Sequence, residues 1–245
     1  MTLRILFIFL SFALIGCAET PREVISDSRD PFENANRKVF EFNMAFDDVI
    51  LEPVAKGYRQ LPDTAQTSLT NFAEWTGYPS TAVNSTFQGK FENAALATIH
   101  FLMNGLTLGL ADLTEDDDDP VAEDFGQTLA YWHVPEGSYV MMPFIGPGTV
   151  RSHTGSVVDM VINPLGFIGI EGASAVQTAS LPVSTVTFRG NTFEQFNDIK
   201  YNAIDPYAKS RSLYFQYREG QIIGLNTDVN STSDDVFDEF LEEDE

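Results

Sequence analysis

One cysteine occurs in the 245-residue chain, and its setting gives the thiol a chemistry. Cys17 closes the run Leu14-Ile15-Gly16-Cys17 at the end of an apolar N-terminal stretch, where a bacterial lipoprotein is cut and acylated. Arg4 supplies a positive n-region, Ile5 to Ile15 an apolar stretch of signal-peptide length, and Gly16 the small residue at the cut. The mature protein is then expected to start at Cys17, with residues 1–16 removed. The competing reading, an uncleaved apolar anchor with a buried cysteine, tethers the chain as well. Acyl chains hold a protein to a bilayer by about 0.8 kcal/mol per buried CH2. Ala18, in place of an aspartate, leaves a lipoprotein free to proceed to the outer membrane.

The remaining reactive residues do not assemble into a catalytic pattern. There is no GxSxG elbow, no HExxH, no Walker loop and no GxGxxG. The three histidines, His100, His133 and His153, lie far apart without metal-ligand spacing, and Ser152 and His153 are adjacent, which points their side chains differently. Five consecutive carboxylates, Glu115 to Asp119, precede Pro120. They lack the alternating ligands and central glycine of a calcium loop, so a solvated loop is expected rather than a metal site. The chain reads as no enzyme, with no cofactor and no metal.

The elements that surround these residues are set by composition and spacing. Apolar residues make up 43% of the chain, including 20 Phe, enough to bury a core in one domain. A formal charge of -22 excludes a nucleic-acid partner, because phosphate neutralisation needs clustered Lys and Arg. The same acidity disfavours polybasic attachment to anionic lipid, which leaves acyl chains and apolar surface to hold a membrane.

Residues 17–29 read as a polar tether. Asp30-Pro31-Phe32-Glu33 then offers an N-cap, a proline at N1 and a glutamate at N3. Phe32, Ala35, Val39, Phe42, Phe46 and Val49 follow at steps of three and four, an apolar stripe on one helix face. Phe40 and Met44 lie off it, so the apolar arc is wider than a soluble helix requires. Pro53, Pro62 and Pro79 divide the next stretch into short helices, one near Val54 to Tyr58 and one from Asp63 to about Trp75 with Leu69, Phe72 and Ala73 inward.

Ala94 to Ala111 carries no formal charge. It is a buried helix of a soluble core or a membrane helix, and its length is at the bottom of the spanning range. Gly105 and Gly109 form GxxxG, which lets another element approach closely. Gly137 to Gly148 (GSYVMMPFIGPG) is apolar yet rich in Gly and Pro, and predicts an ordered loop or hairpin. Val157 to Ile162 and Asp205 to Tyr217 read as helices, the latter with Tyr207, Arg211, Tyr214 and Arg218 at three-to-four spacing. Residues 226–245 are acidic, poor in apolar residues and expected to be disordered.

Taken in order, these motifs resemble the MlaA (VacJ) family of outer-membrane lipoproteins that help to maintain lipid asymmetry. The resemblance starts at DPFENANRKVFEFN, where Asp30, Pro31, Glu33, Asn36, Arg37, Phe42 and Asn43 fit the family pattern. It continues through Pro53, Ala55, Asn71-Phe72, Pro79, Asn84, Gln88-Gly89, Asn104, Gly109 and Asp112. It then takes in DFGQTLAYW (Asp124 to Trp132), Gly137, Tyr139, Pro143, Gly146-Pro147, Arg151, Gly155 and Asp159. Asp205-Pro206-Tyr207, Arg211, Tyr214, Gln216 and Arg218 resemble the closing helix. Departures occur at His100, where relatives often carry arginine, at His133, where glycine is usual, and at Ser152, where an acidic residue is usual.

The resemblance implies an all-α fold: a single ring-like helical domain over residues 30–225, with a short apolar hairpin. It also implies a place on the periplasmic side of the outer membrane, held by a lipid anchor at Cys17. Such a ring passes mislocalised phospholipids from the outer leaflet to a periplasmic carrier of the Mla type, and a trimeric porin commonly holds it. On this reading Tyr139, Met141, Met142, Phe144 and Ile145 border the lipid passage, while Phe42 and Asn43 help to position its wall. The alternative is a non-transporting structural lipoprotein that scaffolds a porin or envelope complex.

Overall fold

The structure, a computed structural model, describes residues 27–114, 119–163, 165 and 173–223. Cys17 and the signal segment, most of the tether, residues 115–118 of the acidic run and the acidic tail lie outside the described residues.

Helix α1 (Glu33–Phe46) forms where the stripe predicts it, but Asp30 does not cap it. The residue ahead of the helix is Phe32, with no side-chain cap. A turn at Pro31 and Phe32 carries the Asp30 carboxylate inward instead, where it accepts from Asn36 Nδ2 (2.8 Å), Arg211 Nη1 (2.6 Å) and the Tyr207 hydroxyl. A buried carboxylate with three donors is better compensated there than at an exposed helix end.

Pro53 does not break the chain into separate helices. α1 runs directly into a π-helical turn, Asp47–Leu51, and on into α2 (Glu52–Tyr58) with helical backbone angles at both junctions. The wider turn makes room for a proline that has no N–H to give and whose ring crowds the carbonyl four residues back. Helix α3 (Asp63–Phe87) likewise continues past Trp75 and through Pro79 for 25 residues. Proline inside a helix costs about 3 kcal/mol, and packing of α3 against its neighbours outweighs it.

Helix α4 (Phe91–Asn104) returns against α3 and ends in a 3-10 turn, Gly105–Thr107. Leu108 and Gly109 then take left-handed backbone (φ 56° and 72°), which reverses the chain and divides the apolar run. No helix among the described residues is long and apolar enough to cross a membrane. Gly109 is required twice over: its φ is positive, and a Cβ there would stand 2.6 Å from the Cβ of Trp75. The close approach anticipated from GxxxG therefore exists, against the Trp75 ring.

Helix α5 (Phe125–Tyr131) is started by a reciprocal capping box between Asp124 and Gln127. Strands β1 (Tyr139–Met142) and β2 (Gly146–Thr149) form the predicted hairpin, antiparallel with Tyr139 opposite Thr149 and Met142 opposite Gly146. Helix α6 (Val150–Ile162) follows at once, capped by the Thr149 hydroxyl. Helices α7 (Ala173–Asn191), α8 (Phe193–Asn202) and α9 (Pro206–Ile223) complete a mostly helical fold of the expected class. Its apolar core lies where the hairpin meets α1 and α9: Phe40, Tyr139, Met141, Tyr207 and Phe215.

Candidate lipid-facing site

The apolar stripe of α1 faces outward. Phe32, Ala35, Phe42 and Val49 are exposed, Val49 to 75%, while the buried positions of the rod include Asn36, Phe40 and Asp47. Helix α4 is inverted in the same way. Its buried positions are Ala94, Ala97, His100 and Asn104, and Ile99, Leu102 and Met103 are exposed, followed by Leu106 (77%), Leu108 and Leu110. Water penalises such an arrangement by roughly 25 cal/mol per Å2 of apolar surface, whereas acyl chains do not.

Most of the polar side chains turned inward find partners nearby, while Gln88 Oε1 has none. His100 Nδ1 meets Thr114 Oγ1 at 3.0 Å; Asn104 donates to Asp112 Oδ1 (3.1 Å) and accepts from the Leu113 amide (2.7 Å). Further along α3, Asp159 accepts from Ser80 Oγ (2.8 Å), Asn84 Nδ2 (2.7 Å) and the Phe125 amide (2.9 Å). Burial raises the Asp159 carboxyl above its usual range in spite of these donors. Gln88 donates to Glu123 (3.0 Å) and Thr128 (3.1 Å), Thr128 donates to Asn84 (2.9 Å), and Lys90 is ion-paired with Glu123.

A second buried network stands at the π-turn. Asp47 accepts from Arg189 Nε (2.8 Å) and Lys200 Nζ (2.6 Å), which tie the rod to α7 and α8. Glu52 is held down at about 2, first by the Lys56 ammonium, then by the Tyr201 hydroxyl and Lys200, against the opposing push of burial.

The hairpin residues divide into two groups. Tyr139 and Met141 point into the core, with the Tyr139 ring 5.6 Å from Phe215 and 6.3 Å from Tyr207. Phe144 and Ile145 stand exposed at the tip, next to the half-buried Met142. Phe42 and Phe46 close edge-on over Phe144 with centroids 5.1 and 5.0 Å apart. Phe144 has φ +65°, costly for a bulky residue, and its amide donates to Asn43 Oδ1 at 2.9 Å. Asn43 Nδ2 donates to Met142 O at 3.0 Å. The structure thus joins Phe42, Asn43, Met142 and Phe144 and sends Tyr139 and Met141 elsewhere.

Among the described residues no group of three or more His, Cys, Asp or Glu side chains is placed to hold a metal ion. The histidines serve local packing: His153 Nε2 reaches Val140 O at 2.9 Å, and His133 is the left-handed residue after α5 (φ 60°). That backbone is one glycine adopts freely, which accounts for glycine being usual there.

Motifs of the closing helix acquire roles that spacing alone did not assign. Tyr207 and Arg211 bind Asp30, Tyr214 Oη accepts from the Thr149 amide (3.0 Å), and Arg218 holds Asp124 in a bidentate pair (2.6 and 2.7 Å). One face of α9 therefore fastens the start of α1, the hairpin and α5.

A family profile described as MlaA lipoprotein matches residues 28–221. An uncharacterized protein of Rickettsia typhi is 32% identical over 199 residues, which cover 79% of this chain and 78% of that one. The intermembrane phospholipid transport system lipoprotein MlaA of Escherichia coli is 29% identical over 217 residues, covering 83% and 82%. A solved structure from work described as "Structural basis for maintenance of bacterial outer membrane lipid asymmetry" superposes with a TM-score of 0.66 at 28% identity, covering 79% of this chain and 98% of the other.

Proposed function

The chain belongs to the MlaA lipoprotein family, and on that premise we propose that it serves phospholipid transport and the lipid asymmetry of the outer membrane. In this reading it takes phospholipids mislocalised in the outer leaflet and hands them, chemically intact, to a soluble periplasmic carrier. The observation that carries it is the outward turn of apolar side chains, Ile99, Leu102, Met103 and Leu106 over the buried His100 and Asn104 of α4, with Phe32, Phe42 and Val49 exposed along α1. A surface of that kind is suited to acyl chains, and along α1 and α4 the backbone groups are satisfied inside the helices.

A lipid moving past such a body needs a polar route for its head group and walls that keep its tails from water, at about 0.8 kcal/mol per methylene. We assign the border of that route to the hairpin tip, Met142, Phe144 and Ile145, steadied by Phe42 and Asn43, with Tyr139 and Met141 as its rooted base. Residues 30–225 form the ring-like domain, residues 17–29 tether it to acylated Cys17 on the periplasmic side, and a trimeric porin holds it in place.

The test is deletion of the gene followed by measurement of phospholipid on the cell surface. Surface phospholipid rises in the deletion, falls with the wild-type gene and stays raised with Cys17→Ala. An unchanged surface contradicts the proposal, and purified protein free of extractable phospholipid supports the scaffold alternative.

A further inference from the structure

Among the described residues no strand lies along the outer edge of β1, yet its groups at Tyr139 and Met141 are paired. Asn36 Nδ2 donates to Tyr139 O (3.1 Å) and its Oδ1 accepts from the Met141 amide (3.0 Å). Asn43 makes a similar pair of bonds where β1 gives way to the turn: Nδ2 to Met142 O (3.0 Å), and Oδ1 from the Phe144 amide (2.9 Å). Each carboxamide gives one donor and one acceptor to residues two apart, and Asn36 does so on the strand edge as a peptide group of a neighbouring strand does. The spacing fits. Seven helical residues from 36 to 43 advance about 10.5 Å at about 1.5 Å each. Three extended residues from 139 to 142 advance about 10 Å at about 3.4 Å each.

From this register we propose that Asn36 and Asn43 are a pair of positioning residues. They form a two-point clip by which α1 holds the hairpin, Asn36 at the free edge of β1 and Asn43 at the turn, and fixes where the hairpin tip meets the lipid. The inference rests on the transport reading above for its consequence, but not for its geometry. Three further contacts point the same way. The second Nδ2 hydrogen of Asn36 goes to Asp30, which Arg211 and Tyr207 also hold, so the clip is anchored through to α9. The Tyr139 amide donates to Arg29 O at 2.8 Å, so the same edge is paired at its start by the chain leading into α1. Pro147 stands opposite Met141. Proline has no N–H to give across that rung, which fits a Met141 whose amide turns away from β2 to Asn36.

The clip explains how a hairpin of four-residue strands with a left-handed Phe144 at its tip holds one conformation. An isolated two-stranded hairpin is marginal in water, and a bulky residue at positive φ needs outside support. Asn43 supplies that support at the strained amide itself, and Asn36 sets the register two rungs back.

The experiment is residue-resolved amide exchange on the full-length protein in detergent or nanodiscs, together with surface phospholipid in cells that carry each variant at equal protein level. Asn36→Ala is expected to speed exchange at Met141, and Asn43→Ala at Phe144, each by about tenfold or more, with α3 unchanged. Asn43→Asp retains the acceptor and is expected to keep Phe144 protected, which separates the hydrogen bond from the lost volume. Surface phospholipid rises with either alanine variant. Because Asn36 also binds Asp30, the half-buried Asn43 carries the test if Asn36→Ala does not fold.

Unchanged exchange at both amides overturns the clip, as does a loss of protection spread over α3 and α9. A loosened hairpin with wild-type surface phospholipid overturns its positioning role. If deleting the whole gene leaves the surface unchanged, the transport reading fails instead, and exchange decides the clip by itself.

Discussion

Two parts of this molecule solve burial in opposite ways. Where the hairpin meets α1 and α9, aromatic rings fill the interior: Phe40 lies edge-on to Tyr207 at 5.7 Å, and Tyr139 packs on Phe215. Where α3 meets α4, α5 and α6, amide, hydroxyl and carboxylate groups share the interior with Trp75, and leucine, methionine and isoleucine of α4 stand outside. The first part gains its stability from water in the ordinary way. The second gains it from a hydrogen-bond network in which every member depends on the others, and its outer surface is stabilised only where water is absent. The contrast separates an aromatic core from a polar interior with an apolar exterior.

Substitutions can break that contrast. Asp159→Ala removes the acceptor shared by Ser80, Asn84 and the Phe125 amide and strands the half-buried Ser80 hydroxyl and Phe125 amide, while Asn84 keeps Ser80 O. It is expected to cost about 3 kcal/mol, seen as a thermal midpoint lowered by about 6–12 °C. Leu102→Ser, on the outer face of α4, is expected to change the denaturation midpoint of the detergent-free protein by less than about 0.5 kcal/mol. The same change weakens partition into vesicles by about tenfold, because a leucine side chain gains roughly 1.5–3 kcal/mol on leaving water.

The ion network at the π-turn gives a pH test. The Glu52 carboxylate is depressed from 4.5 to about 2 in the folded protein. Its contribution is therefore complete above about pH 4.5 and is lost as pH falls from there towards 2. Urea midpoints should show Glu52→Gln less stable than wild type at pH 7, with the gap closing across that window. The smallest expected effect is at His133, whose φ of 60° suits glycine. His133→Gly should raise stability by about 0.5–1 kcal/mol, measured as a small rise in the urea midpoint.

Much of this was legible in residue spacing. The three-to-four recurrence marked α1 and α9, the prolines set off α2 and the start of α3, and the Gly- and Pro-bracketed run marked the hairpin. Helices α7 and α8 passed unassigned, since ASAVQTASLPVSTVTFRGN mixes β-branched residues, serine and a proline without an apolar stripe. Helix α3 was cut short at Trp75 because its continuing buried face is Thr76, Pro79, Thr81, Asn84 and Ser85, which hydrophobic periodicity does not detect. The capping box of Asp124 and Gln127, by contrast, lay in plain sight three residues apart. At the candidate site, Phe42 and Asn43 came from the family resemblance rather than from spacing, and the contacts of Asn36 stayed hidden, because an asparagine on a helix declares its partner only once the hairpin lies alongside.

The central claim is that the inverted faces touch lipid, and probe accessibility measures this directly. A nitroxide on Leu106→Cys, in the acylated protein reconstituted into bilayers, should collide with lipid-soluble oxygen far more often than with a water-soluble nickel chelate. The exposed Glu219 position on α9, labelled through Glu219→Cys, should show the reverse. Equal nickel access at the two positions would contradict the account.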